Sequence, residues 1–217
     1  MEKLSREDFE GLPDAYDGKV EVLSDEFPVF CAKALIKIET EFGSAAAFII
    51  TPDGYALTCA HAVAGNKDLS IIVQNKTARL DGEEDARTFE IVNLRSDLDL
   101  ALIKIIPCEE MPYLELATEH RKIHNNEKCF WLGCQHGSST YIACQGILSS
   151  KNGIFRNRMC YCAFGEEMPG IVGSPVISEE DGCVIGILEE VEPLKDDGSM
   201  SAMFMLPVSY FWKEFLQ

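Results

Sequence analysis

The sequence predicts an all-β protein, and three observations carry that expectation. From Phe30 onward, short apolar or alternating segments recur at regular spacing between turn signals. In the C-terminal half only Val208 to Gln217 reads as a good helix, directly after Pro207, a residue that suits a first helical turn. The composition is ordinary for a globular chain, with 47% hydrophobic and 25% charged residues. It excludes disorder, collagen-like repeats and coiled coil. Short strands with one terminal helix indicate a β-sandwich or paired barrels.

Taken in order, residues 1–29 form an acidic, weakly patterned extension with turn signals at Gly11-Leu12-Pro13-Asp14 and Asp17-Gly18. Strand segments follow at Cys31–Ile38, Ala46–Ile50 and Tyr55–Thr58, the last two joined by a turn at Pro52-Asp53-Gly54. Leu69–Val73, Thr88–Val92 and Leu100–Ile106 complete the first half, which Pro107 ends. Residues 108–126 are looser. Strands return at Lys128–Leu132, Thr140–Cys144 with Gly146–Leu148, Arg158–Ala163, Ser174–Ile177, Val184–Leu188 and Met203–Leu206. No internal repeat or low-complexity segment interrupts them.

With 217 residues, the chain has room for one substantial domain or two small ones sharing a core. Nineteen Lys and Arg face 36 Asp and Glu, a formal net charge of −17. That balance excludes a nucleic-acid or anionic-membrane binder, since both need a cationic face. The short acidic clusters, such as Glu83-Glu84-Asp85 and Glu179-Glu180-Asp181, read as solvated loop tips. No apolar run is long enough to cross a bilayer. Residues 1–8 carry no apolar signal core, so the cytoplasm is the expected compartment. Nine irregularly spaced cysteines, several in apolar company, fit reduced buried thiols better than a disulfide framework.

Three stretches have linked chemistry. Thr58-Cys59-Ala60-His61 places a histidine among small residues at a strand end, where imidazole can act as a general base. Alone, such a histidine is more often a hydrogen-bonded structural residue. Asp97-Leu98-Asp99-Leu100-Ala101-Leu102 sets carboxylates before a strongly apolar strand. Burying one demands a polar partner, and an imidazole N–H is the partner a catalytic base supplies; otherwise it is a turn aspartate. Met168-Pro169-Gly170-Ile171-Val172-Gly173-Ser174-Pro175 breaks an apolar segment with small residues, as a loop does when its backbone N–H groups face a ligand.

In this order the motifs resemble the trypsin-like (chymotrypsin-fold) serine peptidases, above all their HtrA/Deg-type and V8-type branches. Those families carry a GSGF-like strand, a T-x-A-H motif and a D-(L or I)-A-(L or I) motif. A P-G-x-S-G-(G or S)-P loop and a final G-x-x-x-G-I strand follow. The corresponding stretches are Gly43–Phe48, Thr58–His61, Asp99–Leu102, Pro169–Pro175 and Gly182–Ile187, and Met203–Pro207 resembles the closing strand. The resemblance covers about residues 30–217. It implies two six-stranded antiparallel β-barrels, at about 30–107 and 125–206, with a C-terminal helix at 208–217. It also implies His61 as general base, Asp99 as its orienting acid, and the N–H groups of Gly170 and Val172 as oxyanion hole.

The nucleophile position falls on Val172, where the family has serine. An isopropyl group cannot attack a carbonyl, and losing the nucleophile removes on the order of 10⁶ in turnover. Ser174 is the alternative nucleophile. It already matches the second serine of the V8-type loop, and two residues along an extended segment is roughly 6–7 Å. Cys59 adjoins His61, but on the base's own strand.

The expectation is therefore a pseudoprotease that binds or regulates a protein or peptide partner, without nucleic acid or membrane. The alternative is an active endopeptidase, using Ser174 or existing here in an inactivated form. By the same resemblance Glu166 lines the primary pocket, with Glu189 beside the wall strand and Val191 at its mouth. Together they suit a basic side chain; an acidic loop facing water is the competing reading. Cys160-x-Cys162 puts two thiols on one face of a strand near Cys129, Cys134 and His136 in sequence. The paired spacing of a structural zinc site is not there, so no metal and no cofactor are expected.

Overall fold

The computed structural model describes residues 26–40, 43–64, 70–73, 86–106, 110–134, 141–155, 158–165, 170–193 and 201–215. Its strands close into two antiparallel barrels of six. The first holds β1 (Leu35–Thr40), β2 (Gly43–Ile49), β3 (Tyr55–Cys59), β4 (Ser70–Val73), β5 (Ala86–Arg95) and β6 (Leu100–Ile106), in the order β1-β2-β3-β6-β5-β4. The second holds β7 (Lys128–Cys134), β8 (Tyr141–Phe155), β9 (Arg158–Gly165), β10 (Pro175–Ser178), β11 (Val184–Pro193) and β12 (Ser201–Pro207), in the order β10-β11-β12-β9-β8-β7. Closure removes the sheet edges that an open sheet of this size would leave. Three helices accompany them among the described residues: α1 (Glu26–Lys33), α2 (Ala60–Val63) and α3 (Ser209–Glu214). None is long and apolar enough to cross a membrane.

Local chemistry sets the turns and apolar runs fill the interiors. Gly54 donates its N–H to the Thr51 carbonyl at 3.0 Å, and its φ of 89° needs glycine, so Thr51–Gly54 reverses β2 into β3. Leu57 then pairs with Phe48 on one side and Leu102 on the other. Phe48, Leu57, Leu100 and Ile103 are fully buried, each side chain contributing about 1.5–3 kcal/mol relative to exposure. The stretch between the barrels, expected to be loose, is an extended strap tied to both. Leu114 N–H donates to Ile49 O at 2.8 Å, and Ala117 N–H to Val184 O at 2.9 Å.

One segment departs from its expected conformation. Cys31–Lys33, read as the start of a strand, closes helix α1, and β1 begins only at Leu35. The pattern that wins has a period of four. Phe27 and Cys31 lie one turn apart and are both buried, Phe27 standing edge-on to Phe130 of β7 with ring centroids 5.9 Å apart. Partial alternation from Cys31 to Ile38 masked this face in the sequence. Helix α1 also runs across the boundary at 29/30 drawn between extension and domain; residues 1–25 lie outside the described residues. At the other end α3 starts after Val208, buries Phe211, and donates the Trp212 indole N–H to Ala117 O at 2.8 Å.

Candidate functional site

Strand β3 ends at Cys59 in extended geometry, and the short α2 turns the chain so that His61 stands at the seam between the barrels. Its side chain is 51% exposed, whereas the partner carboxylate on Asp99 is 5% exposed. Asp99 ends the turn Ser96–Asp99 with a φ of 54°, in the left-handed region where aspartate is tolerated but rare. This conformation aims the whole residue at α2. Oδ2 lies 2.7 Å from His61 Nδ1, Oδ1 accepts the His61 backbone N–H at 2.8 Å, and the Asp99 carbonyl accepts the Ala60 N–H at 3.0 Å. A carboxylate bound this way fixes the imidazole orientation and stabilises a proton on Nδ1, leaving Nε2 to face outward. Asp97 does not take part. It is exposed and pairs with Arg95 at 2.9 Å.

The loop from Gly170 to Ser174 is clamped between the two barrels. Val172 O accepts the Ala46 N–H at 2.7 Å, and Gly173 N–H donates to Leu188 O at 2.7 Å. Gly173 has a φ of 86°, and a Cβ there would sit 2.0 Å from Ala46 O and 2.8 Å from Thr58 Oγ1. Only glycine fits. Thr58 is buried and donates its hydroxyl to the same Ala46 carbonyl at 2.7 Å, which explains threonine at the end of an otherwise apolar strand. Gly170 has a φ of 80°. Among the described residues no backbone acceptor meets the N–H groups of Gly170 and Val172.

A family model for the trypsin-like peptidase domain matches residues 44–187. The chain belongs to this family. Solved structures of its fold are similar over most of the chain. Rv3671c from M. tuberculosis H37Rv, in an inactive form, superposes with a TM-score of 0.66 at 17% identity, covering 94% of this chain and 96% of that one. The HtrA-type protease AlgW with a tripeptide gives 0.70 at 22% identity, covering 87% of this chain and 60% of AlgW. Deg5 gives 0.68 at 18% identity over 88% and 94% of the two chains. No curated protein matches the sequence. These neighbours share the trypsin-like double-barrel fold.

Within that family frame, the remaining site residues are placed as follows. Val172 is half-buried and packs against the core beside Ile171. Ser174 is fully buried and donates its hydroxyl to Leu132 O at 2.6 Å, so its proton is spent inside barrel two. Cys59 is also buried, and its thiol donates to Leu188 O at 3.3 Å. Ligand atoms of Cys59, His61 and Asp99 lie within 4.8 Å of one another. Glu166 lies outside the described residues. Val191 is half-buried on β11.

Glu189 stands differently from its expected role at a pocket for a basic ligand. Its side chain is 0% exposed and forms an ion pair with Arg158, itself 10% exposed. The cation is internal. A shift in the β11–β12 register between Leu188 and Glu190 places a bulge at this residue, on a strand buried on both faces from Val184 to Leu188. The sequence contains no local signal for this pairing, because Arg158 starts a strand in a different hairpin.

The described cysteines, Cys31, Cys59, Cys129, Cys144, Cys160, Cys162 and Cys183, are thiols rather than disulfides. Burial pushes the thiols of Cys31 and Cys129 up to about 12, which makes both inert as nucleophiles.

Proposed function

We propose that this protein is a pseudoprotease: a trypsin-like double barrel that keeps its base, its orienting acid and its donor loop but has valine at the nucleophile position, and that binds an extended peptide or protein partner along the old cleft. The observation that carries the reading is the distribution of hydroxyls and thiols around His61. Val172 presents only methyl groups at the loop. The Ser174 hydroxyl is committed to Leu132 O and the Cys59 thiol to Leu188 O, both buried. Neither can exchange a proton with Nε2 and reach the Gly170 and Val172 donors as well.

Binding is supported by the wall strand. From Val191 to Pro193, β11 pairs with β12 on one side and with no described strand on the other. Such an edge accepts an extended peptide by β-addition, with side chains alternating into and away from the cleft. The cytoplasm is the proposed compartment, in keeping with seven described cysteines that remain thiols.

The test uses the purified protein with casein and a fluorescent organophosphonate probe. The native chain is expected neither to turn over casein nor to become labelled, while Val172→Ser gains covalent labelling. Casein turnover or labelling of the native chain would establish an active endopeptidase instead.

A further inference from the structure

The Arg158 guanidinium does more than neutralise Glu189. Its Nη2 bonds the Glu189 carboxylate on β11, and its Nη1 donates to the Asp97 carbonyl at 3.1 Å. Asp97 sits in barrel one, two residues before Asp99 and in the same turn. Arg158 therefore clasps the turn that carries the orienting acid to the wall strand of the opposite barrel. The contacts form a ring: Arg158 to Glu189, along the chain to Leu188, through the Cys59 thiol on Leu188 O to α2, and through Asp99 back to Asp97.

Two features show that the turn needs such a clasp. Asp99 is a non-glycine residue at a φ of 54°, a conformation that persists only when its surroundings over-determine it. The turn is also held by the Leu98 N–H on Arg95 O at 3.1 Å, by the bonds of Asp99 to α2, and by the Arg95 pair with the Asp97 carboxylate, whose partners are 33% and 65% exposed and hence weakly coupled in water. The Arg158–Glu189 pair is more buried, its side chains 10% and 0% exposed, while the Arg158 bond to the Asp97 carbonyl is exposed. The geometry of the pair is one-sided, however: Glu189 Oε2 is buried and accepts no hydrogen bond among the described residues. A well-packed structural ion pair satisfies both oxygens, since burying charge gains stability only when every lone pair is met. Here Arg158 Nη1 donates to the Asp97 carbonyl.

We propose that Arg158 is a positioning residue for the His61–Asp99 pair, holding the Asp97–Asp99 turn across the seam with Glu189 as its anchor. The test reads the far-downfield proton NMR signal of the His61 imidazole N–H bonded to Asp99, on the protein with Val172 intact, so the outcome is independent of any nucleophile. Arg158→Met should lose that signal to solvent exchange. Removing both charges in Arg158→Met with Glu189→Met should recover the thermal midpoint, because no carboxylate is left stranded, yet still lack the signal. If the single variant does not fold, the double variant decides alone. A sharp, slowly exchanging signal in either folded variant would overturn the proposal, since the pair would then serve stability only.

Discussion

Asp99 accepts two hydrogen bonds from His61, one from the imidazole Nδ1 at 2.7 Å and one from the backbone N–H at 2.8 Å. The same carboxylate thus orients the ring and anchors the first turn of α2. Side-chain chemistry and local fold are joined at one residue.

Asp99→Ala breaks both bonds and strands a half-buried backbone N–H. It should destabilise the protein by about 1–3 kcal/mol in urea unfolding, the range for a buried hydrogen-bonding group left unmet. In a Val172→Ser background, Asp99→Asn should keep the fold but slow phosphonate labelling by a factor on the order of 10⁴, because the amide favours the wrong imidazole tautomer. Unchanged labelling kinetics would remove Asp99 from the role of orienting acid.

Gly173→Ala places a methyl group 2.0 Å from the Ala46 carbonyl at a φ of 86°. Backbone strain and the clash act together, and the variant should lose at least about 2 kcal/mol. The loss should be accompanied by faster hydrogen exchange at Ala46, whose N–H bonds Val172 O. Chemical denaturation with exchange mass spectrometry reads both.

Acid should weaken the protein through Glu127. Burial raises its carboxyl, but hydrogen bonds from Arg121, Ser178 and the His124 N–H outweigh that and hold it below the ordinary glutamate value of 4.5. The folded state therefore binds the proton less readily than the unfolded state. The stabilisation is complete above about 4.5 and disappears as pH falls through the lower folded value. Glu127→Gln should cost about 1.5–3 kcal/mol at neutral pH, the range for a hydrogen bond to a charged group. It should also show a flatter fall in stability between pH 5 and 3. Parallel pH profiles for variant and native chain would assign the acid sensitivity elsewhere.

Strand positions were legible in the sequence because their signals are local. The apolar runs of β3 and β6, the Pro52-Asp53-Gly54 reversal and Pro107 each act within a few residues. His61, Asp99 and the Gly170–Ser174 loop were likewise visible as motifs in order, and the structure brings them to one seam. The helical start of the domain was less clear, since Phe27 and Cys31 are only two points on a face.

The amino-acid order alone determined which groups this molecule possesses: an imidazole, a turn carboxylate, small residues for a tight loop, and a hydrocarbon where a hydroxyl would attack. Tertiary structure decided which of them meet. Glu189 is buried on a strand whose two faces are both covered, and it meets Arg158 across 31 residues of chain. Ser174 and Cys59 donate their hydroxyl and thiol hydrogen bonds to carbonyls 42 and 129 residues distant. Local periodicity cannot encode such pairings. They depend on how two closed barrels settle against each other, where burial forces each polar group onto the nearest partner of opposite character.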